Sequence, residues 1–221
     1  MSPSTPSRPR LVVCGTDTDV GKTVVSALLV QGLAAHYWKP VQSGLEGCGD
    51  SGRLQALLGL PAERILPEAY RLREPASPHW AAELEGRLLD PSRLELPDPP
   101  GPLVVETAGG LMVPLTRTWL QIDQLERWHL PVVLVARSGL GTLNHTLLSL
   151  EALRRRGITV LGLVLNGPPH PDNPRTLAAL GDLPVLAELP PLQPLSATAL
   201  AAEWQRHDLS HTLTAALERV P

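Results

Sequence analysis

The chain has 221 residues, 43% of them apolar, enough to bury one sizeable core in one domain. Its net charge of −3, with no long run of like charges, gives no electrostatic footprint for nucleic acid. No apolar stretch approaches the roughly 20 residues that span a bilayer, and Cys14 and Cys48 form neither a disulfide framework nor a metal-ligand pair, so a cytoplasmic protein with no membrane partner is expected.

The opening MSPSTPSRPR is polar and proline-rich and lacks the apolar segment of a signal peptide. It reads as a disordered tail over residues 1–9, followed by a single domain over 10–221. Residues 11–14 form a continuous apolar run, the pattern of a strand buried on both faces. Residues 22–35 carry Val25, Leu28, Leu29 and Leu33 at the spacing of one helix face. The stretch 61–102 is crowded with prolines and shows no strong strand. It predicts short helices and loops packed on a sheet edge, with Ser77-Pro78 opening one of the helices. Further strands are predicted over 103–105, 132–135, 160–165 and 185–187. A helix over 142–156 is marked by Leu143, Leu147, Leu150 and Leu153 and stopped by Gly157. Residues 196–220 read as one or two closing helices. Strand and helix alternate along the chain, which predicts an α/β fold with a mostly parallel central sheet and helices on both faces.

Between the first strand and the first helix lies Gly15-Thr16-Asp17-Thr18-Asp19-Val20-Gly21-Lys22-Thr23. Strand, glycine-bearing loop and helix in that order are the context of a phosphate-binding loop. Loop N–H groups and the helix N-terminus face the phosphates, Lys22 reaches the β- and γ-phosphates, and the Thr23 hydroxyl is placed to ligate Mg²⁺. The domain is therefore expected to be a three-layer P-loop NTPase-like unit that takes ATP. Five residues separate Gly15 from Gly21-Lys22-Thr23 where the usual pattern has four, and Asp17 and Asp19 are unusual beside phosphate. Of nineteen basic residues only Lys22 and Lys39 are lysines. Arginine serves wherever a generic positive charge suffices, which marks these two as positions that need a compact ammonium.

The stretched loop resembles that of the dethiobiotin synthetases. Five further segments match the same family in order: Lys39-Pro40-Val41-Gln42-Ser43-Gly44; Val104-Val105-Glu106-Thr107-Ala108-Gly109-Gly110, continuing to Val113-Pro114-Leu115; Gly139-Leu140-Gly141-Thr142-Leu143-Asn144-His145; Gly162-Leu163-Val164-Leu165-Asn166; and Glu188-Leu189-Pro190. The resemblance implies a cyclising ligation in biotin biosynthesis. ATP, CO₂ and 7,8-diaminopelargonate give dethiobiotin, ADP and phosphate through a carbamate and a carbamic-phosphoric anhydride. Chemistry of this kind depends on positioning and on cations where negative charge gathers.

The same resemblance implies the roles of individual residues. Lys39 sits opposite Lys22, and both, with Ser43, serve catalysis. Asp19, Val20, Gly21, Lys22, Thr23 and Val24 hold the nucleotide. Glu106, read as the end of its strand, and Asp50 join Thr23 around Mg²⁺; Asp50 is also placed as a helix N-cap. Gly109 and Gly110 pass close to ligand, and Thr16, Thr18, Ser43 and Gly110 lie where the family touches the diamine. Asp17 is expected to favour its charged amine. Asn166 and Gly167, with Leu189 and Pro190, take the adenine, although Asn166 also suits a strand-ending turn. Gly141, Thr142 and Asn144 open a helix whose N-terminus reaches the substrate tail bound by the other subunit of a homodimer.

His79 and His145 fall in matched segments without metal spacing and read as packing residues. The competing readings are a partition or MinD-like regulatory P-loop ATPase, whose loop usually carries an early lysine where this one has Thr16 and Asp17; the synthetase part of a cobyrinate-type amidotransferase, for whose glutaminase domain 221 residues leave no room; and a nucleotide-binding module without catalysis.

Overall fold

The structure is a computed structural model that describes residues 8–45 and 47–219. In chain order its elements are β1 (Arg10–Gly15), α1 (Lys22–Gly32), β2 (His36–Trp38), β3 (Val41–Ser43), α2 (Gly49–Leu58), β4 (Ile65–Leu66), β5 (Tyr70–Leu72), α3 (Pro78–Leu84), β6 (Leu103–Gly110), α4 (Gln121–Trp128), β7 (Val132–Arg137), α5 (Thr142–Arg155), β8 (Val160–Asn166), α6 (Asn173–Gly181), β9 (Val185–Leu189), α7 (Ala197–Arg206) and α8 (Leu209–Leu217). Residues 1–7 of the expected tail, and Val220 of the expected closing helices, lie outside the described residues. Pro9 runs directly into β1, its carbonyl accepting a hydrogen bond from Leu103 N at 2.8 Å.

Seven strands form one parallel sheet in the order β4-β2-β6-β1-β7-β8-β9, and β3 pairs with β5 in a separate parallel ribbon. Side chains alternate between two cores as strand geometry requires. Val12 and Cys14 of β1 pack on the side of α3, α4, α5 and α6. Leu11 and Val13 pack on the side of α1, α2, α7 and α8. Both faces are covered, which is why these strands read as unbroken apolar runs. From β1 the chain crosses to β2 on one side of the sheet, and β6 and β7 flank β1 directly. The carboxyl end of β1 is thus a topological switch point, where open α/β sheets leave a crevice for ligands.

Four details depart from the sequence reading. β2 is a central strand between β4 and β6. The proline-rich stretch contributes β4 and β5 to the two sheets as well as helix α3. β6 does not stop at Glu106. Its register with β1 runs through Val13↔Glu106 and, after an irregularity, on to Gly15↔Gly110, so Glu106 sits in mid-strand. In α3, Ser77 occupies the N-cap position, but its hydroxyl meets His79 Nδ1 at 3.1 Å rather than capping a backbone N–H.

Candidate active site

The loop after β1 ends at Gly21, the N-cap of α1, with φ of 99°. A Cβ there would lie 2.2 Å from Asn166 Nδ2, so both the left-handed backbone and the close approach demand glycine. Asp19 also has positive φ, at 55°, a conformation that Asp tolerates better than most side chains. Among the described residues no side chain caps α1, which leaves its first-turn N–H groups facing outward for an anion. Lys22 folds back over the loop and donates to the Asp17 carbonyl at 2.8 Å. Burial holds its ammonium below the ordinary lysine range; Glu106 pulls the other way and Lys39 adds to the lowering.

The centre of the site is an acid that has lost all contact with solvent. Glu106 is fully buried, and a buried carboxylate costs several kcal/mol unless paired and hydrogen-bonded. Three neighbouring groups meet that need. Thr23 Oγ1 and Lys39 Nζ each donate to Oε1 at 2.9 Å, and Tyr37 OH donates to Oε2 at 2.9 Å. Asp50, itself an anion, holds the far side of the same ammonium. The register explains the convergence. Tyr37 is paired with Val104, and Glu106, two residues on, shares the face of Val104. Lys39 follows directly where β2 ends. Burial alone would lower the Lys39 pKa, but Glu106 and then Asp50 overcome it and hold the ammonium above its usual range. Burial, reinforced by Glu106, raises the Tyr37 phenol well above its ordinary value.

Asp50 is the second residue of α2 and turns to Lys39, with Arg53 Nη1 3.9 Å from its other oxygen. The N-cap position of α2 belongs to Cys48 instead. Gln42 ties the two segments together, accepting from Asp50 N at 3.1 Å and donating to the carbonyls of Ser43 and Gly44.

Lys22, Thr23, Lys39, Asp50 and Glu106 face a cavity of about 1190 Å³, which Thr18, Asp19, Gly21, Val24, Ser43 and Gly109 also line. The Ser43 hydroxyl is buried there without a hydrogen-bond partner among the described residues. Thr16, Val20, Gly110, Asn166, Gly167, Leu189 and Pro190 are outside that lining. Asn166 instead lies against the loop from the β8 side, donating to the Val20 carbonyl at 3.1 Å, and Gly167 N bonds the Leu189 carbonyl at 2.9 Å. Gly141, Thr142 and Asn144 are also outside it, with Thr142 Oγ1 3.3 Å from Thr146 Oγ1 within α5.

Asp17 does not wait for an amine. Its carboxylate takes Arg137 Nη2 at 3.1 Å and Thr18 N at 2.7 Å, and Arg137 also donates to the Thr18 carbonyl at 3.1 Å. Arg137 and Tyr37 escaped the sequence reading. Only the adjacency of β1 to β7 and of β2 to β6 brings them to the loop and to Glu106.

The oxygen donors around the Lys39 ammonium, two carboxylates and a threonine hydroxyl, are a hard set suited to Mg²⁺ that is held in large part by nucleotide phosphates.

Residues 9–199 match a family model described as an AAA domain. An ATP-dependent dethiobiotin synthetase BioD of Rhodopseudomonas palustris is 54% identical over 197 residues, covering 89% of this chain and 94% of that protein. The chain belongs to the dethiobiotin synthetase family. A synthetase of the same name from Agrobacterium fabrum is 52% identical, covering 90% of this chain and 93% of its own. Among solved structures, a ParA family ATPase from Chlorobium tepidum superposes with a TM-score of 0.58 at 10% identity, covering 95% of this chain and 98% of its own. The cell division ATPase MinD of Pyrococcus furiosus gives 0.58 at 15% identity, with coverages of 96% and 99%. At those identities the chain shares a fold with these two ATPases and nothing finer. Among the described residues, no helix is long and apolar enough to cross a membrane.

Proposed function

We propose that the chain is an ATP-dependent cyclo-ligase that closes the ureido ring of dethiobiotin, working as one catalytic domain over 10–221 in the cytoplasm. 7,8-Diaminopelargonate, CO₂ and ATP are its substrates; dethiobiotin, ADP and phosphate are its products. One amine takes up CO₂ and releases a proton, giving a carbamate. A carbamate oxygen attacks the γ-phosphorus and ADP leaves. The second amine then attacks the carbonyl carbon, loses its proton, and phosphate departs as the ring closes.

The observation that carries this reading is the buried Lys39 ammonium, held by Glu106 and Asp50 on the cavity that Lys22 also faces. Two fixed positive charges on one cavity suit a reaction that gathers the charge of a carbamate and a triphosphate at one place. Lys22 and the first turn of α1 hold the phosphates, Lys39 neutralises carbamate and γ-phosphate together, and the unpartnered Ser43 hydroxyl receives a substrate atom. Thr16, Thr18 and Gly110 contact the diamine. Asn166, Gly167, Leu189 and Pro190 form the adenine end. Thr23, Glu106 and Asp50 would hold Mg²⁺, which would neutralise charge on the nucleotide phosphates.

Gly141, Thr142 and Asn144 act on the substrate tail in a second copy of the chain. In support, they do not line the cavity of their own chain, and Leu140 and Leu148 beside them are exposed apolar side chains.

Mixing protein, Mg²⁺, ATP, bicarbonate and diaminopelargonate and following phosphate and dethiobiotin tests the proposal. Equal amounts of both products, with phosphate release dependent on the diamine, are expected. Phosphate released at the same rate without the diamine would point to a regulatory ATPase instead.

A further inference from the structure

Tyr37 lies two residues before the Lys39–Gly44 motif and outside it, yet its hydroxyl is committed to the most buried charge in the described site. The side chain is fully buried in the core formed with α1, α2, α7 and α8. A phenylalanine would fill the same volume without bringing a hydroxyl that needs a partner in an apolar core. The hydroxyl here lies 2.9 Å from Glu106 Oε2, while the other carboxylate oxygen, Oε1, takes both Thr23 and Lys39. The two oxygens of Glu106 are thus divided between a neutral core donor on one side and the cavity on the other. A carboxylate pinned through one oxygen cannot rotate about its terminal torsion, which is otherwise broad and roughly two-fold.

We propose that Tyr37 is a positioning residue: its hydroxyl fixes Glu106 so that Oε1, and not Oε2, is presented to the metal ion of the nucleotide. The inference rests on the reading above that Glu106 is a metal ligand. Mg²⁺ demands near-octahedral geometry and takes carboxylates sparingly, so a ligand free to swing or chelate through both oxygens is a poor one. Outer partners that orient a ligand are worth about 10–100-fold in metal affinity or activity. Tyr37 is suited to this role because it adds no charge. It can hold Oε2 while Lys39 is drawn toward phosphate and its own contact with Oε1 loosens.

The test uses the full chain with a non-hydrolysable ATP analogue and Mn²⁺ as a paramagnetic reporter of metal affinity. Wild type should bind Mn²⁺ tightly in the presence of the analogue, and Glu106→Gln should lose that site. Tyr37→Phe should weaken Mn²⁺ by about 10–100-fold, with analogue affinity in the absence of metal unchanged and kcat partly restored by excess Mg²⁺. A Glu106→Gln variant that keeps wild-type Mn²⁺ affinity overturns the assignment of the metal site. If Glu106→Gln loses the site while Tyr37→Phe binds Mn²⁺ like wild type, the role of Tyr37 alone is overturned.

Should Tyr37→Phe fail to fold, the wild-type chain still decides the matter. It has two tyrosines, Tyr37 and Tyr70, and 3-fluorotyrosine labelling gives one ¹⁹F resonance for each, assigned with Tyr70→Phe. Adding Mg²⁺ to the analogue complex should shift the Tyr37 line and leave that of Tyr70 in place. A stationary Tyr37 line would refute the proposal.

Discussion

Replacing Lys39 by Met keeps an unbranched apolar stem and removes the charge. The ammonium lies 2.9 Å from Glu106 Oε1, and that carboxylate is fully buried. At an effective dielectric of about 20, the gross attraction at this separation is about 6 kcal/mol. Desolvation of both groups offsets part of it, and removing one member of a buried pair costs about 3–5 kcal/mol because the other charge is left uncompensated. In a chain of this size that lowers Tm by on the order of 10 °C. Turnover should fall by about 10²-fold or more, the usual loss for one group that stabilises transition-state charge, while ATP binding is largely kept. The two losses are separable. The double variant Lys39→Met/Glu106→Gln leaves no fully buried charge unpaired, since Asp50 is part-exposed beside Arg53, so it should regain much of the stability and none of the turnover. Thermal unfolding and steady-state kinetics on the two single variants and the double one close the cycle. Turnover close to that of wild type in the folded Lys39→Met variant would show that Lys39 is a structural counter-ion and nothing more.

Burial lowers the Lys22 pKa, so rising pH discharges it before an ordinary lysine. Affinity for an ATP analogue, titrated from about pH 7 to about pH 11, should therefore fall at lower pH in wild type than in Lys22→Arg, whose guanidinium stays charged; superimposable profiles would contradict this. The buried Cys14 thiol is pushed up to about 12, whereas Cys48 is exposed and lines the cavity. A thiol reagent should modify one cysteine in the native protein and both after denaturation, with nucleotide protecting Cys48; native modification of Cys14 would be inconsistent with its burial. A Cβ on Gly32 would lie 2.2 Å from the Trp204 ring where α1 packs on α7. Gly32→Ala should thus cost about 1–3 kcal/mol by overpacking, visible in chemical denaturation, with kcat of the folded fraction unchanged.

What the sequence conveyed and what it hid divide along physical lines. β1, β7, β8 and β9, and the start of β6, were legible because both faces of each strand are covered, which leaves a continuous apolar run. β2 has three residues, one of them His36, and β4 has two, too short for any period to emerge. The end of β6 was misplaced because Glu106 resembles a strand terminus, whereas the pairing of β1 with β6 continues past it to Gly110.

In the site, Lys22, Thr23, Lys39 and Glu106 stand in local motifs that carry their own chemistry. Tyr37 and Arg137 do not. Their partners are 69 and 120 residues away, and only sheet order and register bring them within hydrogen-bonding distance. The Arg137 partner of Asp17 was hidden for the same reason. An acid beside a phosphate loop suggests an amine ligand until β7 is known to supply Arg137.

The most direct test of the account follows one oxygen atom. With C¹⁸O₂ as substrate, attack of a carbamate oxygen on the γ-phosphorus leaves that oxygen bridging carbon and phosphorus, and ring closure carries it away. Each phosphate released should then hold one ¹⁸O from CO₂, and each dethiobiotin should keep the other. Phosphate that carries oxygen from water alone would mean that ATP is hydrolysed beside the diamine rather than spent on it.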